Sequence, residues 1–300
     1  MLKIAWSPIY HHPLPEGHRF PMAKYSLLVE QLLYEGTISK ANLFTPEPLS
    51  EAQVLTTHTS AYWEKLKQGT ISQKEARRIG FPFDPNLVER EVTICGGSIA
   101  NTTYAMEYGC SINIAGGTHH AYADHGEGFC LLNDIAIAAH HVLDQPGVEQ
   151  VLVVDLDVPQ GNGTAKLFED DHRVFTFSMH GASNYPLHKE RSDLDVPLPD
   201  NIDGAAYLAI LEDHLDMLMS TIKPQFIFFQ SGVDVLHSDK LGRLGLTMAA
   251  CKQRDQLVFD RCRSHGVPVA VSMGGGYSER LRDIIEAHAN TYRLAQEIFF

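Results

Sequence analysis

Six short, unbroken apolar runs do most to limit the folds open to this 300-residue chain. They are Leu2 to Trp6, Ser111 to Ala115, Val151 to Leu156, Val174 to Ser178, Phe226 to Gln230 and Val267 to Met273. They read as strands buried on both faces, the mark of a parallel sheet. Helical patterns separate them. Met22 to Tyr34 stops before Gly36, Leu87 to Tyr108 stops at Gly109, and Asp134 to Leu143 leads to a Pro-Gly turn. Asp203 to Ile222 is followed by Pro224, and Thr247 to Ser264 by Gly266. Such stops suit helix C-termini. Strands and helices in this alternation predict right-handed crossovers and an α/β fold, a mostly parallel sheet flanked by helices on both faces. Length alone suggests about two domains. No Ser/Gly linker, repeat or low-complexity tract marks a seam, however, and 44% hydrophobic residues suffice for one core. A single domain over residues 1–300 is the expectation.

Charge narrows the function. The formal net charge is -13, with 37 acidic against 24 basic residues. That excludes a general nucleic-acid binder, which needs clustered Lys and Arg against phosphates. It suits a cationic substrate, or simply a soluble protein. The start of the chain lacks a signal-peptide pattern, and no run reaches the roughly 18 apolar residues that span a bilayer. Cys95, Cys110, Cys130, Cys251 and Cys262 are odd in number and lack C-x-x-C spacing, so they read as core residues rather than disulfides or a zinc site. A cytoplasmic location is expected.

The strand exits carry the polar residues. GGTHHA follows Ala115, DLDVPQGNG follows Val154, MHG follows Ser178, SGVD follows Gln230 and GGGY follows Met273. Ligands of open α/β sheets bind outside the carboxyl ends of the strands. The adjacent imidazoles of His119 and His120, beside glycines, suit paired acid–base work on one ligand. His11-His12 and His140-His141 have no such setting and read as surface pairs.

GGTHHA with GFCLLND, then DLDVPQGNG, SGVD with LGRLGLT, and MGGGY resemble the histone deacetylase family in content and order, from about residue 110 to 280. The GNG, the compact length and EGHRFPMAKY look most like its class IV group and bacterial relatives. The resemblance implies an arginase/deacetylase-like fold and a metal-dependent hydrolase of N-acyl-lysine or acylpolyamine. It implies Asp157 and Asp234 as zinc carboxylates, with iron as an alternative metal. His119 and His120 match the tandem proton-handling histidines, and Tyr277 the oxyanion donor. Asp155 and Asn162 match the partners orienting the two imidazoles. Gly128 and Phe129 match one tunnel wall, with Tyr185 facing them. Asp155, Asp157 and Ser178 match a structural site for a monovalent cation, potassium. The stretch from Gly69 to Pro85 is expected to shape the rim. A manganese ureohydrolase, which shares the architecture, is disfavoured because its D-A-H-x-D motif is absent.

Two positions depart from the family pattern. The third zinc ligand is a His two residues after the metal Asp, and here that position is Pro159. Pro has no donor atom, and zinc sites favour three protein ligands including nitrogen. Three readings follow: another nitrogen such as His180 fills the gap, water does, or Pro159 is a variation on an otherwise active enzyme. The alternative function is an acyl-lysine or polyamine binder without turnover. Asn162 stands where many relatives carry Asp; its oxygen still accepts from an imidazole but adds no charge.

Overall fold

The computed structural model describes residues 1–300, one eight-stranded sheet in which every neighbouring pair runs parallel. The strands are β1 (Lys3–Ala5), β2 (Leu43–Phe44), β3 (Cys110–Asn113), β4 (Val151–Asp155), β5 (Val174–Gly181), β6 (Leu194–Leu198), β7 (Phe226–Gln230) and β8 (Val269–Ser272). Their spatial order is β2-β1-β3-β8-β7-β4-β5-β6. The helices are α1 (Lys24–Tyr34), α2 (Glu51–Val54), α3 (Ser60–Gln68), α4 (Gln73–Ile79), α5 (Pro85–Tyr108), α6 (Asp134–Leu143), α7 (Asn162–Leu167), α8 (Gly204–Thr221), α9 (Met248–His265) and α10 (Leu281–Phe299).

Both faces of the central strands are buried, which explains their unbroken apolar runs. Val151, Val153, Phe226, Phe228 and Ala270 pack with Ile135, Ala136, Ala138 and Ala139 of α6. The alternate residues Leu152, Val154, Ile227, Phe229, Val269 and Val271 join the larger core with Leu211 and Leu215 of α8 and Val258 and Phe259 of α9. This is one domain with one sheet. Helix starts follow local chemistry: Asn133, Asp203 and Thr247 cap α6, α8 and α9 by accepting the third backbone N–H, and Asp84 with Pro85 opens α5. Register then sets the site, because Asp155 and Gln230 end β4 and β7 side by side, level with Ser178 of β5.

The six predicted strands and five predicted helices are present within a few residues. Sequence reading missed β2 and β6, which are edge strands: one has two residues and the other contains Pro197 with a half-exposed pattern. It also missed α10 and the short helices α2, α3, α4 and α7. The Gly69 to Pro85 stretch is not a plain loop, since α4 lies inside it. His12 is no surface residue; it is 4% exposed, with Nε2 3.6 Å from Asp84. His140 is half-buried against Thr57 Oγ1 at 2.8 Å. All five cysteines are buried and free. No helix is long and apolar enough to cross a membrane.

Candidate active site

The loops after β3, β4, β7 and β8 meet at the base of a tunnel of ≈ 220 Å³, whose walls include Phe129, Tyr185, Leu241 and Tyr277. Below it lies a polar chamber of ≈ 50 Å³, lined by His119, His120, Asp157, Asp234, Gly275 and Tyr277 among others. Pro159 lines both. The sequence-predicted set therefore converges, apart from Ser178, whose side chain lies elsewhere.

Each central imidazole is held through Nδ1, leaving Nε2 without a protein partner. His119 Nδ1 lies 2.6 Å from Asp155 Oδ2, and His120 Nδ1 lies 2.5 Å from Asn162 Oδ1. Those acceptors assign the Nδ1–H tautomer to both rings. Burial alone would lower the His119 pKa, but the Asp155 carboxylate overrides it and raises the imidazole above its ordinary value. Burial pushes Asp155 up as well, against the pull of His119. The short bond, together with Asp157 N–H donating to Asp155 Oδ1 at 3.1 Å, favours the ionised carboxylate facing a readily protonated ring. His120 goes the other way: burial, then the neighbouring His119, holds it well below its usual range. The two rings, 4.1 Å apart, are thereby split into an easily charged and a neutral member.

Asp157 and Asp234 face one point. A Cβ on Gly275 would fall 2.4 Å from Asp234 Oδ2 and 3.2 Å from Asp157 Oδ2, so only glycine leaves that cradle open. Asp157 accepts from Gly232 N at 2.7 Å and Gly275 N at 2.8 Å, and Asp234 from Val158 N at 3.0 Å. Burial, then the charge of Asp157, raises the Asp234 carboxyl well above the carboxylate range. Two hard oxygens aimed together suit a divalent cation. No third His, Cys, Asp or Glu joins them, because Pro159 occupies the remaining place. The donor set is one nitrogen short of a zinc site. His180 does not supply it: its Nδ1 sits 3.0 Å from Ser178 Oγ and 3.8 Å from Asp195, outside the chamber lining. That disposes of His180 as a substitute ligand.

The tunnel walls are aromatic. The Tyr185 ring stands edge-on to His120, 4.9 Å between centroids, and Phe129 packs with Phe20, Phe81 and Tyr277 at 5.1, 5.2 and 6.0 Å. Phe129 adopts φ +68°, unusual for a side-chain-bearing residue and a local strain that aims its ring into the tunnel. Gly128, at φ +58°, passes so near His120 that a Cβ would sit 2.7 Å from Cδ2. Tyr277 is positioned by its N–H to Asp239 Oδ2 at 2.6 Å; burial, then Asp234, keeps its phenol protonated.

Three contributors escaped sequence reading. Glu127, 6% exposed, accepts from Asn162 Nδ2 at 2.8 Å and Tyr185 OH at 2.7 Å on one oxygen, and from Arg78 at 2.8 Å on the other. Tyr122 OH accepts from Asn162 Nδ2 at 2.9 Å. Lys24, fully buried, donates to Gly274 O at 3.0 Å beside the rings of Phe20, Tyr25 and Tyr277. Burial lowers its pKa to about 8, against the attraction of Asp157 and Asp234. The only signal was the polar E-G before the Phe129 motif and the K in RFPMAKY.

A family model described as the histone deacetylase domain matches residues 18–292. The chain belongs to the histone deacetylase family. Members of this family are hydrolytic deacetylases. Among its relatives, an uncharacterized protein of Picosynechococcus sp. is 42% identical, covering 99% of each chain. Histone deacetylase 2 of Arabidopsis thaliana is 28% identical over 89% of this chain and 72% of its own length. The acetoin utilization protein AcuC of Staphylococcus aureus is 26% identical over 87% and 72%. Two solved structures share the fold. The HDA15 HD domain has a TM-score of 0.84 and 20% identity, over 99% of this chain and 88% of its own. A histone deacetylase homolog complexed with SAHA has a TM-score of 0.80 and 23% identity, over 97% and 82%.

Proposed function

We propose that this deacetylase-family domain acts on the acyl-amide of N-acyl-lysine or acylpolyamine, with hydrolysis limited by an incomplete metal-ligand set. The observation that supports it most is the asymmetric pair of imidazoles, His119 on Asp155 and His120 on Asn162, beneath an aromatic tunnel wide enough for an alkyl stem. In this reading the alkyl stem lies between Phe129 and Tyr185, beside Gly128. The acyl carbonyl reaches Tyr277, whose protonated phenol donates to the developing oxyanion, a role worth ~10²–10³ in rate. The neutral ring of His120 accepts a proton, and the protonated ring of His119 returns one to the leaving amine. The chemistry supplied by a divalent ion on Asp157 and Asp234, zinc or iron, is carbonyl polarisation and a lowered water pKa. In the same reading Asp155, Asp157 and Ser178 would hold a structural potassium ion. A cytoplasmic setting suits the free cysteines.

Pro159 favours a second reading: acyl-amide binding without turnover. The test compares the chain with Pro159→His, measuring bound metal and hydrolysis of an acetyl-lysine peptide and an acetylpolyamine. Losing one orienting partner outside the ligand set already costs ~10–100-fold in metal affinity, so restoring a ligand should regain at least that. Metal and activity in both proteins support the deacylase; their appearance only in Pro159→His supports the binder. A Pro159→His protein with neither refutes the hydrolytic reading.

A further inference from the structure

The chain as a whole is strongly acidic, yet the ground beside the tunnel mouth is not. A shallow groove formed by His18 and Arg19 on one side and Gln73, Arg77 and Phe81 on the other opens next to the tunnel. Arg19 lines both, its guanidinium 4.9 Å from the centre of the Phe129 ring. Arg19 and Arg77 are exposed and neither forms an ion pair; Arg77 reaches only Gln73 Oε1, at 3.4 Å. No carboxylate lines the groove. The neighbouring carboxylates are already engaged: Glu127 holds Arg78, and Glu75 holds Lys65 and caps α4. His18 is fixed in place, its Nδ1 accepting from Phe20 N at 3.1 Å while Nε2 lies 3.0 Å from Gly80 O.

Two free guanidiniums in a protein of net charge -13 are an opportunity for an anion. Arg also presents a planar fork suited to carboxylates. We infer that the carrier of the acyl-lysine is a peptide with Asp or Glu next to that lysine, and that its carboxylate lies in this groove against Arg19 and Arg77. A polyamine, all of whose remaining charges are positive, would meet like charge at the same place. This inference rests on the acyl-amide reading of the tunnel and narrows its two substrate classes to one.

Binding tests it without requiring turnover. Anisotropy of labelled short peptides would be measured on the full chain at low and high salt, with four peptides: acetyl-lysine or lysine at the centre, Glu or Lys on either side. N-acetylspermidine would be a competitor. Two exposed ion pairs, each worth ~0.2–1 kcal/mol, give the Glu-flanked acetyl-lysine peptide an advantage of about two- to thirtyfold over its Lys-flanked counterpart. High salt should erase the gap. Arg77→Gln, which does not touch the tunnel, should remove about half of it, and Arg19→Gln with Arg77→Gln nearly all. Acetyl-dependent binding indifferent to the flanks, or stronger with Lys flanks or acetylspermidine, overturns the groove assignment and leaves the tunnel reading standing. Glu preference without acetyl dependence keeps the groove and sinks the tunnel reading. Absence of binding by all four peptides sinks both.

Discussion

Replacing Glu127 by Gln keeps the size of the side chain and removes one charge, so the outcome depends on which oxygen becomes the amide nitrogen. Oε1 accepts from two groups, Asn162 Nδ2 and Tyr185 OH, and Oε2 from Arg78. An amide on the Oε1 side would leave two donors without an acceptor, at about 1–3 kcal/mol each. On the Oε2 side it would face Arg78, whose side chain is 51% exposed and can turn to water, and His125 Nε2 at the longer distance of 3.9 Å. Gln should choose the second, losing about 1–2 kcal/mol, or roughly 2–3 °C of Tm in a chain of this size. The oxygen facing Asn162 survives, so His120 stays aimed and acetyl-lysine peptide affinity changes by less than about threefold. Glu127→Ala removes both acceptors, frees Tyr185, and should cost roughly twice the Tm and at least tenfold in affinity. Acid provides a further check. The bonds from Tyr185, Asn162 and Arg78 outweigh burial and hold the Glu127 carboxyl below its ordinary 4.5. Its stabilisation is therefore present above pH 4.5 and fades as pH falls through the lower folded value, so the wild-type advantage over both variants narrows in that acid range. Scanning calorimetry and peptide anisotropy decide the matter. Equal Tm and affinity for Gln and Ala, or an Ala variant indistinguishable from wild type, would refute the relay.

Gly128→Ala should abolish acetyl-lysine peptide binding while leaving the circular-dichroism melt within a few degrees, because its Cβ meets His120 at 2.7 Å in a left-handed backbone. A chamber of ≈ 50 Å³ holds only a few water-sized groups, so acetyl and propionyl peptides should bind at least tenfold tighter than myristoyl ones; the reverse order by anisotropy would contradict the chamber size. Asp234→Asn keeps the acceptor for Val158 N but relieves repulsion from Asp157, so in chelator its Tm should rise by roughly 2–6 °C, while in the Pro159→His background it should lower bound metal.

The sheet was legible because central parallel strands carry no polar face, and Val151 to Asp155 or Phe226 to Gln230 cannot be read otherwise. Edge strands lack that signature: Pro197 within β6 points away from a strand, and Leu43–Phe44 is too short to show a period. The tandem histidines, Asp157, Asp234 and Tyr277 were legible as motifs, and their convergence follows from register at the β4 and β7 ends. Glu127 was not, since its importance arises from Arg78 on α4, Tyr185 after β5 and Asn162 on α7, three places that only folding brings together. His180 failed as a ligand for a strand-level reason. Two residues after Ser178 on β5, it shares that residue's face and bonds to it instead of turning to the chamber.

Pro159 takes a donor from the site without disturbing the rest of it, and the reason lies in what holds each group. Both oxygens of Asp157 and one of Asp234 are bonded by backbone N–H groups of Gly232, Gly275 and Val158, which the fold supplies whether or not an ion is bound. The buried ammonium of Lys24, drawn to both carboxylates, offsets part of their charge from below. His119 is aimed by Asp155 and His120 by Asn162 and Glu127, none of which depends on position 159. Phe129 and Tyr185 belong to other loops again. Exchange of the expected His for Pro therefore subtracts one donor from a preformed cradle and leaves recognition in place. On the proposed function, acyl-amide binding and acyl-amide hydrolysis, usually lost together when a metal enzyme is damaged, should be separable in this chain.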